Sequence, residues 1–339
     1  MASRGAPAFW QQRGLKARAL LPLALVFGAL SAFRRSLFLR GVLKVQRVPR
    51  PVVVVGNIAV GGSGKTPVVV WLCERLREAG HSPGILSRGY GGRVEGVAEV
   101  PARDADPAVF GDEPVLLAAL TGAPVFVGRD RPAAARALLA AHPDCSVLVS
   151  DDGLQHYPMG RDVEIIVVDP AVLGNRYRLP AGPLREPMER LAEADLVLLH
   201  GGMDAQLEAA RGTAEVFAMR LQPGDLVAVD GSGASAPLST FRGRTVHAVA
   251  GIGRPERFFD TLRRAGVEPI CHAFADHHPF VAEDLRFKDA FPLLMTAKDA
   301  VKCRAFAPPD SWVLPVAAQL DRGAFRIVME KLVHGQSSA

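Results

Sequence analysis

The residues best suited to chemistry stand in one run: Gly61-Gly62-Ser63-Gly64-Lys65-Thr66. They follow a short apolar run at 52–55 and open a segment, 65–79, that reads as a helix stopped by Gly80. Glycines let successive backbone N–H groups turn inward toward phosphate oxygens, and a helix N-terminus adds partial positive charge. In such a loop Lys65 is placed to bridge the β- and γ-phosphates of a nucleoside triphosphate, with the Thr66 hydroxyl on Mg²⁺. The phosphate cradle is taken as Ala59, Val60, Gly61, Gly62, Ser63, Gly64, Lys65 and Thr66. One position departs from the usual pattern, because Ala59 stands where a leading glycine is expected.

Other stations are acidic. The apolar run 147–150 ends in Asp151-Asp152-Gly153. A carboxylate at the carboxyl end of a buried strand beside such a loop holds Mg²⁺ directly or through water, and either aspartate can do so. Gly111-Asp112-Glu113-Pro114 opens a helical stretch; taken alone, Asp112 is a helix cap. Asp276-His277-His278 pairs a carboxylate with imidazoles, a combination that can orient or tune a general base. Arg88 and Tyr90 lie in a glycine-rich loop after a strand, suited either to substrate contact or to a tight turn. Lys298 and Lys302, four apart, share one helix face.

The elements that must position these groups alternate. Strands are expected at 52–55, 84–87, 124–127, 147–150, 164–168 and 196–199, with helices at 65–79, 113–120 and 132–141 among them. This order implies an α/β fold, a P-loop NTPase-like, doubly wound, mostly parallel sheet. The pattern loosens at 223–244, where two short runs flank Gly231-Ser232-Gly233 like a hairpin. A second, smaller α/β domain is expected over 245–339: strands at 246–250, 268–272 and 293–296, and helices at 255–265 and 324–333. The main domain then spans 51–222.

Charge separates a further segment. Residues 1–50 hold ten Lys or Arg and no Asp or Glu, leaving 30 basic and 35 acidic residues for the rest. The basicity therefore belongs to one end rather than to a nucleic-acid-binding body. Within it, 19–33 is apolar and flanked by Arg13, Arg18, Arg34 and Arg35. Fifteen helical residues span roughly 22 Å, short of a hydrocarbon core of about 30 Å. A signal peptide lacks a convincing cleavage site, and a buried core helix is the plain alternative. The expected reading is an N-terminal membrane-associating helix, lying on or shallowly in the membrane with its arginines on anionic headgroups. The four cysteines are scattered without CxxC spacing, so neither a zinc site nor a disulfide framework is indicated.

Taken together, these segments resemble the tetraacyldisaccharide 4′-kinase (lipid A 4′-kinase) family over nearly the whole chain. The resemblance rests on Gly56-Asn57-Ile58 leading into the 59–67 loop, Ser87-Arg88-Gly89-Tyr90-Gly91, Gly111-Asp112-Glu113-Pro114 and Asp151-Asp152-Gly153-Leu154-Gln155-His156. It continues through the run from Pro180 to Pro187, Phe274-Ala275-Asp276-His277-His278 and Thr296-Ala297-Lys298-Asp299-Ala300-Val301-Lys302. This family's loop also lacks the leading glycine. The resemblance implies an ATP- and Mg²⁺-dependent kinase that phosphorylates the 4′-hydroxyl of a tetraacylated glucosamine disaccharide 1-phosphate, giving lipid IVA. It would act at the cytoplasmic face of the bacterial inner membrane, with no nucleic acid and no obligate protein partner. Asp112 matches the family's proposed general base and His277 the histidine paired with it. Asp151 and Asp152 match the metal-holding acids, Arg185 a residue implicated in substrate binding, and Gln155 and His156 further positions of the same motif. Two rival readings are a membrane-associated P-loop ATPase switch and a metal-dependent phosphoesterase built on Asp276-His277-His278. The first would hydrolyse ATP without a sugar acceptor; the second leaves the phosphate cradle without a role.

Overall fold

The structure is a computed structural model and describes residues 6–336. Along the chain, α1 (Leu15–Ala19) and α2 (Leu21–Leu39) precede β1 (Val52–Gly56), α3 (Lys65–Glu78), β2 (Pro83–Ser87), β3 (Val97–Glu99), α4 (Pro107–Phe110), α5 (Asp112–Thr121), β4 (Val125–Gly128) and α6 (Arg131–Ala141). Then come β5 (Val147–Asp151), β6 (Val163–Val168), β7 (Leu196–His200), α7 (Ala205–Ala210) and β8 (Glu215–Pro223). After these follow β9 (Leu226–Ala228), β10 (Ser235–Ala236), β11 (Thr245–Ala250), α8 (Pro255–Arg264), β12 (Glu268–Ala273), β13 (Leu293–Thr296), α9 (Ala297–Cys303) and β14 (Ser311–Leu314). Finally β15 (Val316–Leu320) and α10 (Arg322–Gln336) close the described chain.

Two sheets result. The larger has the order β15-β8-β7-β6-β1-β5-β2-β4-β3, parallel except at the edge pairs β15–β8 and β4–β3. The smaller has the order β10-β9-β14-β13-β11-β12, parallel from β14 to β12. Central β1 shows why the pattern takes this form. Val53 and Val55 enter the core shared with α3, while Val52 and Val54 enter the core shared with α6. A strand covered on both faces reads as an unbroken apolar run. Full burial of each valine contributes on the order of 1.5–3 kcal/mol, so slipping the strand out of this layer is strongly disfavoured.

The end of the chain departs from the expected boundaries. The segment expected as a second domain over 245–339 does not stay with the smaller sheet. β15 pairs with β8 on the larger sheet, and Ala324, Ile327, Val328 and Leu332 of α10 join the core beneath α3. Their spacing makes one apolar helical stripe that needs an apolar partner. Trp71 of α3 supplies part of it, meeting Phe325 edge to face at 6.2 Å. A hairpin around 231–233 is present as β9 and β10, its second arm at Ser235–Ala236 rather than 237–241, where Leu238–Phe241 turn as a 3₁₀ helix, and β9 also pairs with β14. That segment is the antiparallel edge of the smaller sheet rather than a free connection.

The N-terminal helix is longer than the apolar run suggested. α2 has 19 residues, a length of about 28 Å, and by length and composition it is apolar enough to cross a membrane. Only Ala24 and Gly28 of it are buried, while Leu23, Leu25, Val26, Leu30, Phe33 and Leu39 are exposed. The buried-core alternative therefore does not hold. The segment is tied to the body by its polar groups: Trp10 Nε1 donates to Pro180 O at 3.0 Å, Arg13 Nε to Asn175 O at 3.1 Å, and Arg35 pairs with Glu193.

Candidate active site

The phosphate cradle forms at the carboxyl end of β1. Gly64 has φ 89°, a left-handed conformation that non-glycine residues rarely adopt, and it hands the chain into α3 at Lys65. Asn57 braces the turn from within: its Nδ2 donates to Gly61 O at 3.3 Å and to Ser63 Oγ at 3.1 Å. Ala59 is buried in an apolar core and forms a bridge with Leu184, while Val60 N donates to Pro183 O at 2.9 Å. A methyl group at position 59 thus fills core space, which accounts for the missing glycine.

The two acids after β5 differ sharply. Asp151 lies beside Val55 in the parallel register and is buried. Burial first, and then the nearby Glu113, push its carboxyl well above the usual range. Asp152 has φ 47°, unusual for a non-glycine residue, which turns it toward the cradle. Lys65 Nζ stands 3.5 Å from its Oδ1. Arg185 spans it bidentately, Nη1 to Oδ2 at 2.9 Å and Nη2 to Oδ1 at 2.8 Å. Burial opposes ionisation here, but Lys65 and Arg185 outweigh it and hold Asp152 well below the ordinary carboxylate range. Arg131, buried, donates to Gly128 O at 3.0 Å and to Asp151 O at 2.9 Å, so it ties the ends of β4 and β5 together.

Thr66, Asp151 and Asp152 offer only oxygen donors, the set a hard divalent cation prefers. A cation beside Asp151 would offset the penalty that burial places on its charged form, so the residues fit such an ion. Among the described residues there is no cluster of three or more His, Cys, Asp or Glu able to hold a metal alone. Mg²⁺ needs none, since it commonly uses one or two carboxylates together with substrate phosphates.

The third part of the site spans the two sheets. Gly111 has φ 91°, and a Cβ there would lie 2.6 Å from Tyr90 O, so the turn that places Asp112 at the start of α5 demands glycine. Asp112 is buried, and His277, from the loop after β12, reaches it with Nδ1 at 3.0 Å from Oδ1 and 2.9 Å from Oδ2. His277 itself has φ 59°, a second non-glycine residue held in the left-handed region within the site. Burial favours the neutral forms of both. The His277 hydrogen bond and the Lys298 charge nevertheless bring Asp112 below its ordinary value, and the Asp112 hydrogen bond takes His277 above its own. Lys298, at the start of α9, lies among them: 3.2 Å from Glu113 Oε1, 3.3 Å from Asp276 Oδ1, 3.4 Å from His277 Nε2 and 3.8 Å from Asp112 Oδ2.

The remaining expected residues group around these. Tyr90 stands edge to face with the His277 ring at 5.3 Å and, with Arg88 and Arg129, lines a cavity of about 200 Å³. Gln155 Nε2 donates to Asn57 O at 3.2 Å. His156 lies deeper, its pKa pushed down to about 4 by burial and then by Arg131 and Arg161. Arg185, expected at the substrate, is here committed to Asp152 and Asn57. Asn57 and Glu113 stand within motifs that carry the resemblance, but nothing in the sequence gave either of them a role. Lys298 had a signal, the four-residue spacing to Lys302, but that spacing could not separate a solvated face from a buried one.

A cradle of backbone amides and lysine at the carboxyl edge of a parallel sheet, together with a buried carboxylate–imidazole pair, defines a P-loop phosphotransferase. The family described as "Tetraacyldisaccharide-1-P 4'-kinase" matches residues 16–334. The chain belongs to the tetraacyldisaccharide 4'-kinase family. It is 57% identical to the "Tetraacyldisaccharide 4'-kinase" of Aromatoleum aromaticum, covering 99% of this chain and 100% of that one. It is 56% identical to the protein of the same name from Azoarcus sp., covering 100% and 99%. Its fold matches LpxK from Aquifex aeolicus, solved in complex with ATP, with a TM-score of 0.79, 28% identity and coverage of 93% and 99%.

Proposed function

We propose that the protein transfers the γ-phosphoryl group of ATP to the 4′-hydroxyl of a tetraacylated glucosamine disaccharide 1-phosphate in lipid A biosynthesis. The observation that carries the mechanism is the Asp112–His277 pair, closed at 2.9 Å across the two sheets. A sugar hydroxyl is a poor nucleophile until its proton has an acceptor. Asp112 takes that role, because its carboxyl is ionised at neutral pH and His277 Nδ1–H aims it. The cradle amides of Ala59–Thr66 and the Lys65 ammonium hold the triphosphate and offset the charge on the moving phosphoryl group. Thr66, Asp151 and Asp152 are the residues that would hold Mg²⁺, which supplies charge neutralisation at the phosphates when bound. Arg88, Tyr90, Gln155 and His156 border the acceptor side. Arg185 serves it by keeping Asp152 ionised and in place.

A multiply acylated acceptor stays in a bilayer, so the enzyme works at the membrane surface. The exposed apolar face of α2 and the acid-free basic segment 1–50 support attachment to the cytoplasmic face of the inner membrane. Incubation with γ-labelled ATP and acylated disaccharide 1-phosphate should move label into the lipid. Label released only as inorganic phosphate, with or without the lipid, would instead indicate an ATPase switch. Removing residues 1–40 should shift the protein toward the soluble fraction; unchanged sedimentation with membranes would remove the anchor role from α2.

A further inference from the structure

We propose that Lys298 is a positioning residue: by donating to Glu113, Asp276 and His277 Nε2, it holds the neutral imidazole of His277 in the tautomer protonated on Nδ1, opposes the imidazolium that the carboxylates favour, and so leaves Asp112 free to accept the acceptor's proton. This rests on the Asp112–His277 reading above and says what sets the state of that pair.

The hydrogen count leads to it. An ammonium group has three donors and no acceptor. Three acceptors surround Lys298 Nζ, at 3.2, 3.3 and 3.4 Å, and the third is His277 Nε2. The fourth neighbour, Asp112 Oδ2, is beyond hydrogen-bond distance at 3.8 Å, so the ammonium makes its third bond only if that nitrogen presents its lone pair. The imidazole proton must then be on Nδ1, where it faces the Asp112 carboxylate at 2.9 Å. The opposite tautomer would set N–H against N–H at Lys298 and lone pair against carboxylate at Asp112, losing both contacts. Lys298 is itself buried to 17% side-chain exposure, and Glu113, Asp112 and Asp276 raise its pKa despite that burial, so it remains charged across the working range.

Charge acts in the same direction as geometry. The groups facing His277 are Asp112 from α5, Asp276 beside it in its own loop, Lys298 from α9, and the uncharged Tyr90 ring from the loop after β2. Glu113 and Lys302 act at one remove, Glu113 through Lys298 and Lys302 through Asp112. The carboxylates favour the imidazolium, and Lys298 opposes it. Without Lys298 the imidazolium forms at higher pH and pairs with Asp112, which blunts the base. The lysine is also placed rigidly. It follows Thr296, whose hydroxyl caps α9 by accepting from Asp299 N, and Asp299 in turn accepts from Gly251 N at 2.9 Å.

The test compares Lys298→Met with Lys298→Gln, which retains an N–H donor but no charge. With ¹⁵N-labelled histidine, and the His277 signals assigned by their loss in His277→Ala, the wild type should show a protonated Nδ1 and an unprotonated Nε2 at a pH above the His277 titration. Lys298→Met should lose that tautomer preference at the same pH. It should also move the acid limb of kcat/KM upward by on the order of one pH unit, with about a tenfold loss at pH 7. Lys298→Gln should keep the tautomer and show only the shifted limb. ATP affinity within about twofold of wild type identifies folded variants; should Lys298→Met fail to fold, the shifted limb of Lys298→Gln decides. An unmoved acid limb with an unchanged tautomer in a folded variant overturns the proposal. Near-full turnover by Asp112→Asn would instead overturn the base assignment, while the nitrogen shifts still decide what Lys298 does to His277.

Discussion

The two halves of the site are built by opposite means. The phosphate cradle is local: Asn57, Gly61, Ser63, Gly64 and Lys65 lie within nine positions of one another and are braced by their own turn. The carboxylate–imidazole half is non-local, with Asp112 and His277 165 positions apart and Lys298 185 from Glu113. The first half can form once β1 and α3 are packed. The second exists only while the smaller sheet sits against α5. In the proposed mechanism a nucleotide can therefore find its cradle without the base in place, whereas transfer needs both, which would separate holding ATP from hydrolysing it.

Four measurements bear on that division, beginning with the largest effect. Lys65→Ala should lower kcat by about 10³-fold or more, because the charge on the transferring group loses its nearest fixed cation. Its thermal stability should change little, since Asp152 keeps the bidentate Arg185. Asp112→Asn should lower kcat by about 10²–10⁴-fold with nucleotide affinity within about twofold. An equal loss of nucleotide binding in both variants would show the halves to be one unit.

Next comes the second link between the sheets. Arg257 of α8 pairs with the buried Asp169 that follows β6, and Arg254 lies 4.0 Å from the same carboxylate. Arg257→Ala leaves that carboxylate with the more distant arginine and the Ala171 N–H. It should destabilise the fold by about 1–3 kcal/mol in denaturant unfolding, a range kept low because Arg257 is partly exposed. KM for the acceptor should rise more than that for ATP. An equal rise for both would place the sheet contact at the cradle rather than at the base.

The smallest effect is on stability against pH. Asp112 is depressed from 3.8, so its contribution is full above that value and is lost as pH falls through its folded pKa. His277 is raised from 6.5, so its contribution is full below that value and is lost as pH rises through its folded pKa. The pair therefore stabilises most between 3.8 and 6.5. His277→Ala should flatten the unfolding profile on the alkaline side of that window. A profile identical to wild type would mean that the pair adds nothing to cohesion between the sheets.

Much of the larger sheet was legible. The runs at 52–55, 147–150, 164–168 and 196–199 are strands buried on both faces, where solvation and pattern agree. β3, β8, β14 and β15 went unread, because half-exposed or short strands carry mixed residues whose fate depends on a partner. β15 illustrates this: Val316 and Ala317 are exposed, and only pairing with β8 makes a strand of them. In the site, Asp112, Asp151, Asp152 and His277 could be given roles, but Asn57, Glu113 and Arg131 could not. A buried polar residue looks like any surface one until its hydrogen-bond partners are known.

By itself the sequence determined whatever depends on neighbours along the chain: the glycine-framed cradle, the order of strands and helices, and the basic, acid-free N-terminal segment. It also determined membership of a family, through seven motifs in fixed order. Tertiary structure alone decided that α10 returns to the larger sheet, that Arg185 is committed to Asp152, and that Lys298 stands among three carboxylates and an imidazole. The physical reason is range. Backbone conformation and helix or strand periodicity are settled within a few residues, whereas the ionisation and tautomer of a buried group are set by whatever charge the fold brings within a few ångströms, however distant in sequence.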